Sequence, residues 1–291
     1  MSAEFSQLFF PNGEKLLRSR GVVLFPEDTQ LACPAPLLSL PIPTALFPLL
    51  HKHALSLRWA SLIPFELLGI LIGCRGCVAL AKRARQTSGL RASFALAAWS
   101  LSFAAFAMMN GSAIVAHNIM SPQDKQFPTL VGLDVGCTGA AALCAAVAAL
   151  ASRQHQKAAT KGLQQRAASN VAVWSLAAVA ASVISIAVAA NTTHEMAWAN
   201  EVIYIGLAVA CTPLVAAYLA GAWHLGGAAS RWGSCLAVGG LMLGGAGVTL
   251  DPSLCRLAGS HFTHAHVLFL GCDLIYLGLL LHLVALPPAQ Q

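Results

Sequence analysis

Seven long apolar blocks, set apart by short polar stretches, constrain this chain more than anything else in it. They run from Trp59 to Leu80, Phe94 to His117, Leu130 to Ala151, Val171 to Ala190, Val202 to Trp223, Trp232 to Leu250 and His264 to Leu286. A run of about 18 or more apolar residues is long enough to cross a bilayer as a helix. In lipid every backbone N–H and C=O must find a partner inside the protein, and a helix supplies those partners within the segment. The reading is an all-α, polytopic membrane protein. A seven-transmembrane helix bundle fills residues 57–287, preceded by an N-terminal extension over 1–56 and followed by a short tail over 288–291.

Composition agrees with that reading. Charged residues make up 10% of the chain and hydrophobic residues 57%, whereas an average soluble domain carries about 25% charged residues. The net charge of +6 does not point to nucleic acid, because most Lys and Arg flank the apolar blocks, where membrane orientation places them. The nine cysteines fall mostly inside those blocks, where cysteine acts as a small hydrophobe rather than as part of a secreted disulfide framework. Glu4, Glu14, Lys15, Arg18 and Arg20 interrupt the first residues, a pattern unlike a cleavable signal peptide. Pro34, Pro36, Pro41, Pro43 and Pro48 break the apolar run between Leu37 and Leu50, so an interfacial or re-entrant segment is expected there instead of a straight span.

Basic loops orient the bundle. Lys82, Arg83, Arg85 and Arg91 follow the first block, and Arg153, Lys157, Lys161 and Arg166 follow the third. Both loops are expected on the cytoplasmic side. The stretch from Asn191 to Glu201 holds acids but no Lys or Arg. An N-terminus outside or in a lumen and a cytoplasmic C-terminus follow.

With that orientation the ionisable groups sort by depth. His117 ends the second block, Asp134 opens the third, His261, His264 and His266 open the seventh, and Glu66 lies in the outer third of the first. Ionisable residues within spans are costly and mark functional sites. Imidazoles and a carboxylate are the donor types that zinc takes, so His117, Asp134, His261, His264 and His266 are the candidate metal ligands. Asn110 lies seven residues before His117, on the same helical face. Ser112 lies five before it, and an ideal helix carries it away from that face unless a wide turn intervenes. The plain alternative is that His117 and Asp134 meet water and headgroups at the interface. Glu66 reads either as an acid/base group or as a carboxyl paired with a polar neighbour in the bundle. Asp273, two turns beyond His266, reads as a group that orients a ligand histidine or pairs across the bundle. Cys74 and Cys77 have metal or redox spacing, but as a lone pair they read as packing. Asn191-Thr192-Thr193 is a glycosylation sequon.

These residues resemble the CREST superfamily of seven-span proteins, which includes alkaline ceramidases, progestin/adipoQ receptors and the TMEM-eight-like, myomaker-related group. That family carries Ser and His four apart at the end of the second span, Asp at the start of the third, and two His four apart in the seventh. Leu133-Asp134-Val135-Gly136 is similar to the receptor branch around its Asp, and His266-Val267-Leu268 is similar to the family's seventh-span motif. The chain departs at two positions: Ser112 is five residues before His117, and Phe262 stands four before His266. The resemblance covers about 60 residues, a length on the order of three spans. It implies a zinc-dependent hydrolase of a lipid amide or ester, with a membrane lipid as substrate. Ser112 or Asn110 would stabilise the oxyanion, and Glu66 would add an acid/base group.

Two other classes compete. Haem binding for electron transfer would pair His117 with an outer histidine and His224 with His282. A receptor or structural bundle would use a metal for architecture alone. Retinal is excluded as a lysine adduct in the last block, because no Lys follows Lys161.

Overall fold

The computed structural model describes residues 40–41, 56–57, 59–87, 89–121, 124–160, 169–193, 199–200, 202–224, 226–258 and 264–286. Apart from an antiparallel pairing of Leu40–Pro41 (β1) with Ser56–Leu57 (β2), the described chain is helical. Seven helices follow in order: α1 Ile63–Gln86, α2 Leu90–Ala113, α3 Phe127–Thr160, α4 Ser169–Thr193, α5 Leu207–Ala222, α6 Ala228–Ala258 and α7 His264–Ala285. Two π-helical segments join them, Ile114–Ile119 continuing α2 and Val202–Gly206 leading into α5. The helices coincide with the seven apolar blocks, most of them longer by a few residues. The expected interfacial segment between Leu37 and Leu50 lies almost wholly outside the described residues.

Among the described residues, six helices are long and apolar enough to cross a membrane, all but α6. α6 nevertheless lies antiparallel along α7. Gly233 sits against His282 and Gly278, and Gly240 against Gly271 and Ile275, so the two backbones touch over several turns. At Gly278 the approach is so close that a Cβ would fall 2.4 Å from Ala237 N and 2.4 Å from Gly233 O. Small residues permit this contact, and dispersion across the close seam replaces the hydrophobic drive that lipid does not provide. The outer side of α6 carries Trp232 and Met242, both exposed to the surroundings of the bundle.

Arrangement at the two ends positions the site. Ser61, just before α1, hydrogen bonds to His266 near the start of α7. At the far end, Arg83 of α1 donates to the carbonyl oxygens of Leu283, Val284 and Leu286, which close α7. α1 and α7 therefore run parallel, with their polar beginnings at one end of the bundle. The guanidinium fork caps carbonyls at the end of the helix and complements the negative end of its dipole.

The middle is aromatic. Phe106 stacks on Tyr276 with ring centres 3.9 Å apart, and Phe103 meets the same ring edge-on at 5.1 Å. Ser102 Oγ donates to Ala141 O at 2.8 Å and lies 3.0 Å from Tyr276 Oη, which ties α2, α3 and α7 together. Trp99, Phe103 and Tyr218 are fully buried. This core separates a polar cluster at the α1 start from a second polar group at the other end.

Candidate functional site

The end of α2 decides the geometry. Its last turns widen to a π-helix, and Met120 N–H bonds Val115 O at 2.7 Å across five residues. The widened turn carries His117 and Asn118, and successive helical residues point in different directions. His117 turns to α3, where Nε2 lies 3.1 Å from Asp134 Oδ2. Asn118 turns to α1, where Nδ2 donates to Glu66 Oε2. One end of one helix is thus held between two carboxyl groups on two neighbours. π-turns of this kind are frequent at functional sites.

Burial makes the cluster expensive unless it is satisfied. Glu66, Asn110 and Asn118 are fully buried, and Asp134 and Asp273 are nearly so. Asp134 and Asp273 are the charged groups within electrostatic reach of Glu66 among the described residues. Several acceptor oxygens lack a hydrogen-bond partner among the described residues: Glu66 Oε1, Asn110 Oδ1, Asn118 Oδ1 and both oxygens of Asp273. All belong to α1, α2 with its π-helical end, or α7.

The structure brings some of the expected site residues together and leaves others apart. His117 and Asp134 meet, and not merely in headgroup water: their side chains are 15% and 9% exposed. Glu66 pairs with a polar neighbour in the bundle, the second of its two expected readings. Asn110 shares the buried side of α2, but its Nδ2 donates to Phe106 O and its amide packs against Gly69 of α1. Ser112 does not turn toward His117. Its hydroxyl donates back to Met108 O and Met109 O, both at 2.9 Å. The wide turn that would align the two is present, but it begins at Ile114, after Ser112.

His266 is buried, with Nε2 at 2.9 Å from Ser61 Oγ and its ring edge-on to Phe65 at 5.9 Å. Asp273 contacts neither His266 nor any other hydrogen-bond donor among the described residues. His261 and the side chain of His264 lie outside the described residues. Among those described, no three His, Cys, Asp or Glu side chains gather closely enough to hold one metal ion. Two ligands of one tetrahedral zinc, at bonds of about 2.0–2.1 Å, stand about 3.3 Å apart. The 3.1 Å between His117 and Asp134 suits such a pair as well as a hydrogen bond. The pair supplies an imidazole and a carboxylate, two of the donor types zinc takes.

Sequence reasoning missed Asn118 and Ser61. Asn118 was reachable, since an amide in the closing turn of a membrane helix is as conspicuous as the histidine beside it. Ser61 precedes its helix in a stretch with no periodic signal.

At the opposite end, His282 is fully buried with Nδ1 at 2.8 Å from Ser230 Oγ and 3.0 Å from Ser234 Oγ. Tyr218 meets its ring edge-on at 5.5 Å, while His224 is exposed. Cys74 and Cys77 are free thiols.

No protein-family model, curated protein or solved structure matches this chain.

Proposed function

We propose that this protein is a zinc-dependent intramembrane hydrolase acting on a lipid amide or ester, with seven crossings and an exterior N-terminus. The observation that carries this reading is the His117–Asp134 contact, formed across α2 and α3 at the end of the bundle where α7 also begins. His117 and Asp134 would hold the metal, with a further ligand from the start of α7, where His261, His264 and His266 stand. A bound zinc would supply an activated water and a positive charge facing the carbonyl oxygen.

The chain's own residues contribute the rest. Without metal, His117 Nε2–H donating to Asp134 would fix one tautomer and the direction of the ring; a bound metal would take the place of that hydrogen. The apolar walls of α2 and α3 exclude bulk water and strengthen each polar contact inside. The parallel α1 and α7 seam, closed by Ser61 and His266, sets the boundary of the site on the side away from α3. Parallel α1 and α7, with α6 antiparallel beside α7, support the reading of seven crossings.

The test is metal analysis of purified protein together with turnover of defined lipid amides and esters. Wild type should carry about one zinc and release fatty acid, and His117→Ala should lose both. Zinc retained without turnover of ceramides, glycerolipids or glycolipids would favour a structural metal and overturn the hydrolase reading. A strong visible haem band would overturn it in favour of electron transfer. The enclosure of His282 by Ser230, Ser234 and Tyr218 leaves little room for a macrocycle there.

A further inference from the structure

Glu66 and Asn118 face each other as carboxyl and amide. One hydrogen bond between them is explicit: Asn118 Nδ2 donates to Glu66 Oε2. The atoms left over on the two groups, Glu66 Oε1 and Asn118 Oδ1, are both oxygens, both buried and both without a partner among the described residues. Two acceptors cannot satisfy each other. A single hydrogen between them would satisfy both and close a two-bond ring, as an amide and a carboxylic acid do when both keep their hydrogens.

Charge points the same way. A fully buried carboxylate needs a cation or several donors. Among the described residues, the groups on the elements packed around Glu66 supply one amide donor and no cation. On the end of α2 the neighbour is the neutral Asn118, and His117 beside it is turned to Asp134. α3 presents Asp134 and α7 presents Asp273, both acids. His266 of α7 is directed to Ser61 and packs on Phe65. The hydrogen-bond partner of Glu66 is Asn118, not any of the proposed zinc ligands.

We propose that Glu66 is a proton-binding site, held as a carboxylic acid whose Oε1–H donates to Asn118 Oδ1. One O–H bond of a hydronium ion breaks as its proton forms an O–H bond with one carboxylate oxygen, leaving a water molecule, and no other covalent bond changes. This proposal goes beyond the hydrolase reading and stands without it. Where that reading also holds, Glu66 is a stored acid within electrostatic reach of Asp134.

Infrared spectroscopy of the full-length protein in lipid, with and without 13C-labelled glutamate, reads the acid directly. A carboxylic-acid C=O band should be present at neutral pH, shift with the label and vanish in Glu66→Gln. Glu66→Gln should melt with wild type, because its amide N–H takes the proton's place, whereas Glu66→Ala should melt lower. Should Glu66→Gln fail to fold, Asn118→Ala is the second probe: the band should move to higher frequency as the acid loses its acceptor. The band should be unchanged after chelation and after zinc loading, which separates this outcome from the metal reading. A band missing at neutral pH, or lost on zinc loading, would overturn the proposal. So would a melting temperature that rises with sodium in wild type but not in Glu66→Gln, since a metal cation would then occupy the place given to the proton.

Discussion

Replacing Gly278 by alanine opposes two effects whose sizes can be compared. In a helix interior, glycine to alanine gains up to about 1 kcal/mol from propensity. At Gly278 the added Cβ lies 2.4 Å from both Ala237 N and Gly233 O. Ordinary contact begins near about 3.4 Å, so the α6–α7 seam must open by roughly 1 Å, and overpacking of this kind costs about 1–3 kcal/mol. Both opposing atoms are backbone, which moves only if a helix moves, so the upper part of that range applies. We expect a net loss of about 1–2 kcal/mol. Gly239, on the same pair of helices, has no neighbour within 4 Å of an added Cβ. There the alanine should gain up to about 1 kcal/mol, and the two variants should differ by about 2–3 kcal/mol. Unfolding in mixed lipid–detergent micelles, followed by far-UV circular dichroism against increasing SDS, measures the difference. Gly278→Ala as stable as wild type, or more so, would refute direct backbone contact between α6 and α7.

Other consequences are as definite. Arg83→Ala should cost about 1–2 kcal/mol in the same assay, because three carbonyls at the end of α7 lose their donor. Arg83→Lys should recover only part of it, since an ammonium cannot fork between them; full recovery would show that charge alone matters. A double-mutant cycle on His117→Ala and Asp134→Ala should return a coupling of about 1 kcal/mol or more, and additive losses would rule out the contact. Asn191 should remain unglycosylated in a microsomal translation assay. Its amide donates to Ala187 O and exchanges hydrogen bonds with Asn200, and a glycan-dependent mobility shift in wild type would contradict that pairing.

How much of this was legible beforehand depends on distance along the chain. The helices were readable because lipid enforces long uninterrupted apolar runs, and Trp59 to Leu80 or Val171 to Ala190 allow little else. The His117–Asp134 meeting was also within reach, since a short polar crossing returns the chain to the end it has just left. Glu66 was visible as a buried acid, but not its partner: Asn118 reaches it only because the α2 helix widens into a π-turn, and spacing rules assume a regular helix. Ser112 shows the opposite failure. A wide turn was the condition for it to meet His117, and one is present from Ile114, yet its hydroxyl bonds its own backbone, a local competition common for serine in helices. The fit of His266 to Ser61 links opposite ends of the chain, about 200 residues apart, and no short-range pattern encodes it.

The parallel α1–α7 seam carries a consequence for biosynthesis. Chains are made from the N-terminus, and early segments take up structure first. The helix that brings Asp273 to Glu66, and offers its terminal carbonyls to Arg83, leaves the ribosome after the other six. Until then Glu66 faces an open flank, and the first helix has nothing to clasp at its far end. A nascent chain halted before residue 264 should therefore be a chaperone client or a degradation substrate even with most of its helices inserted, and emergence of α7 would be the step that matures the bundle.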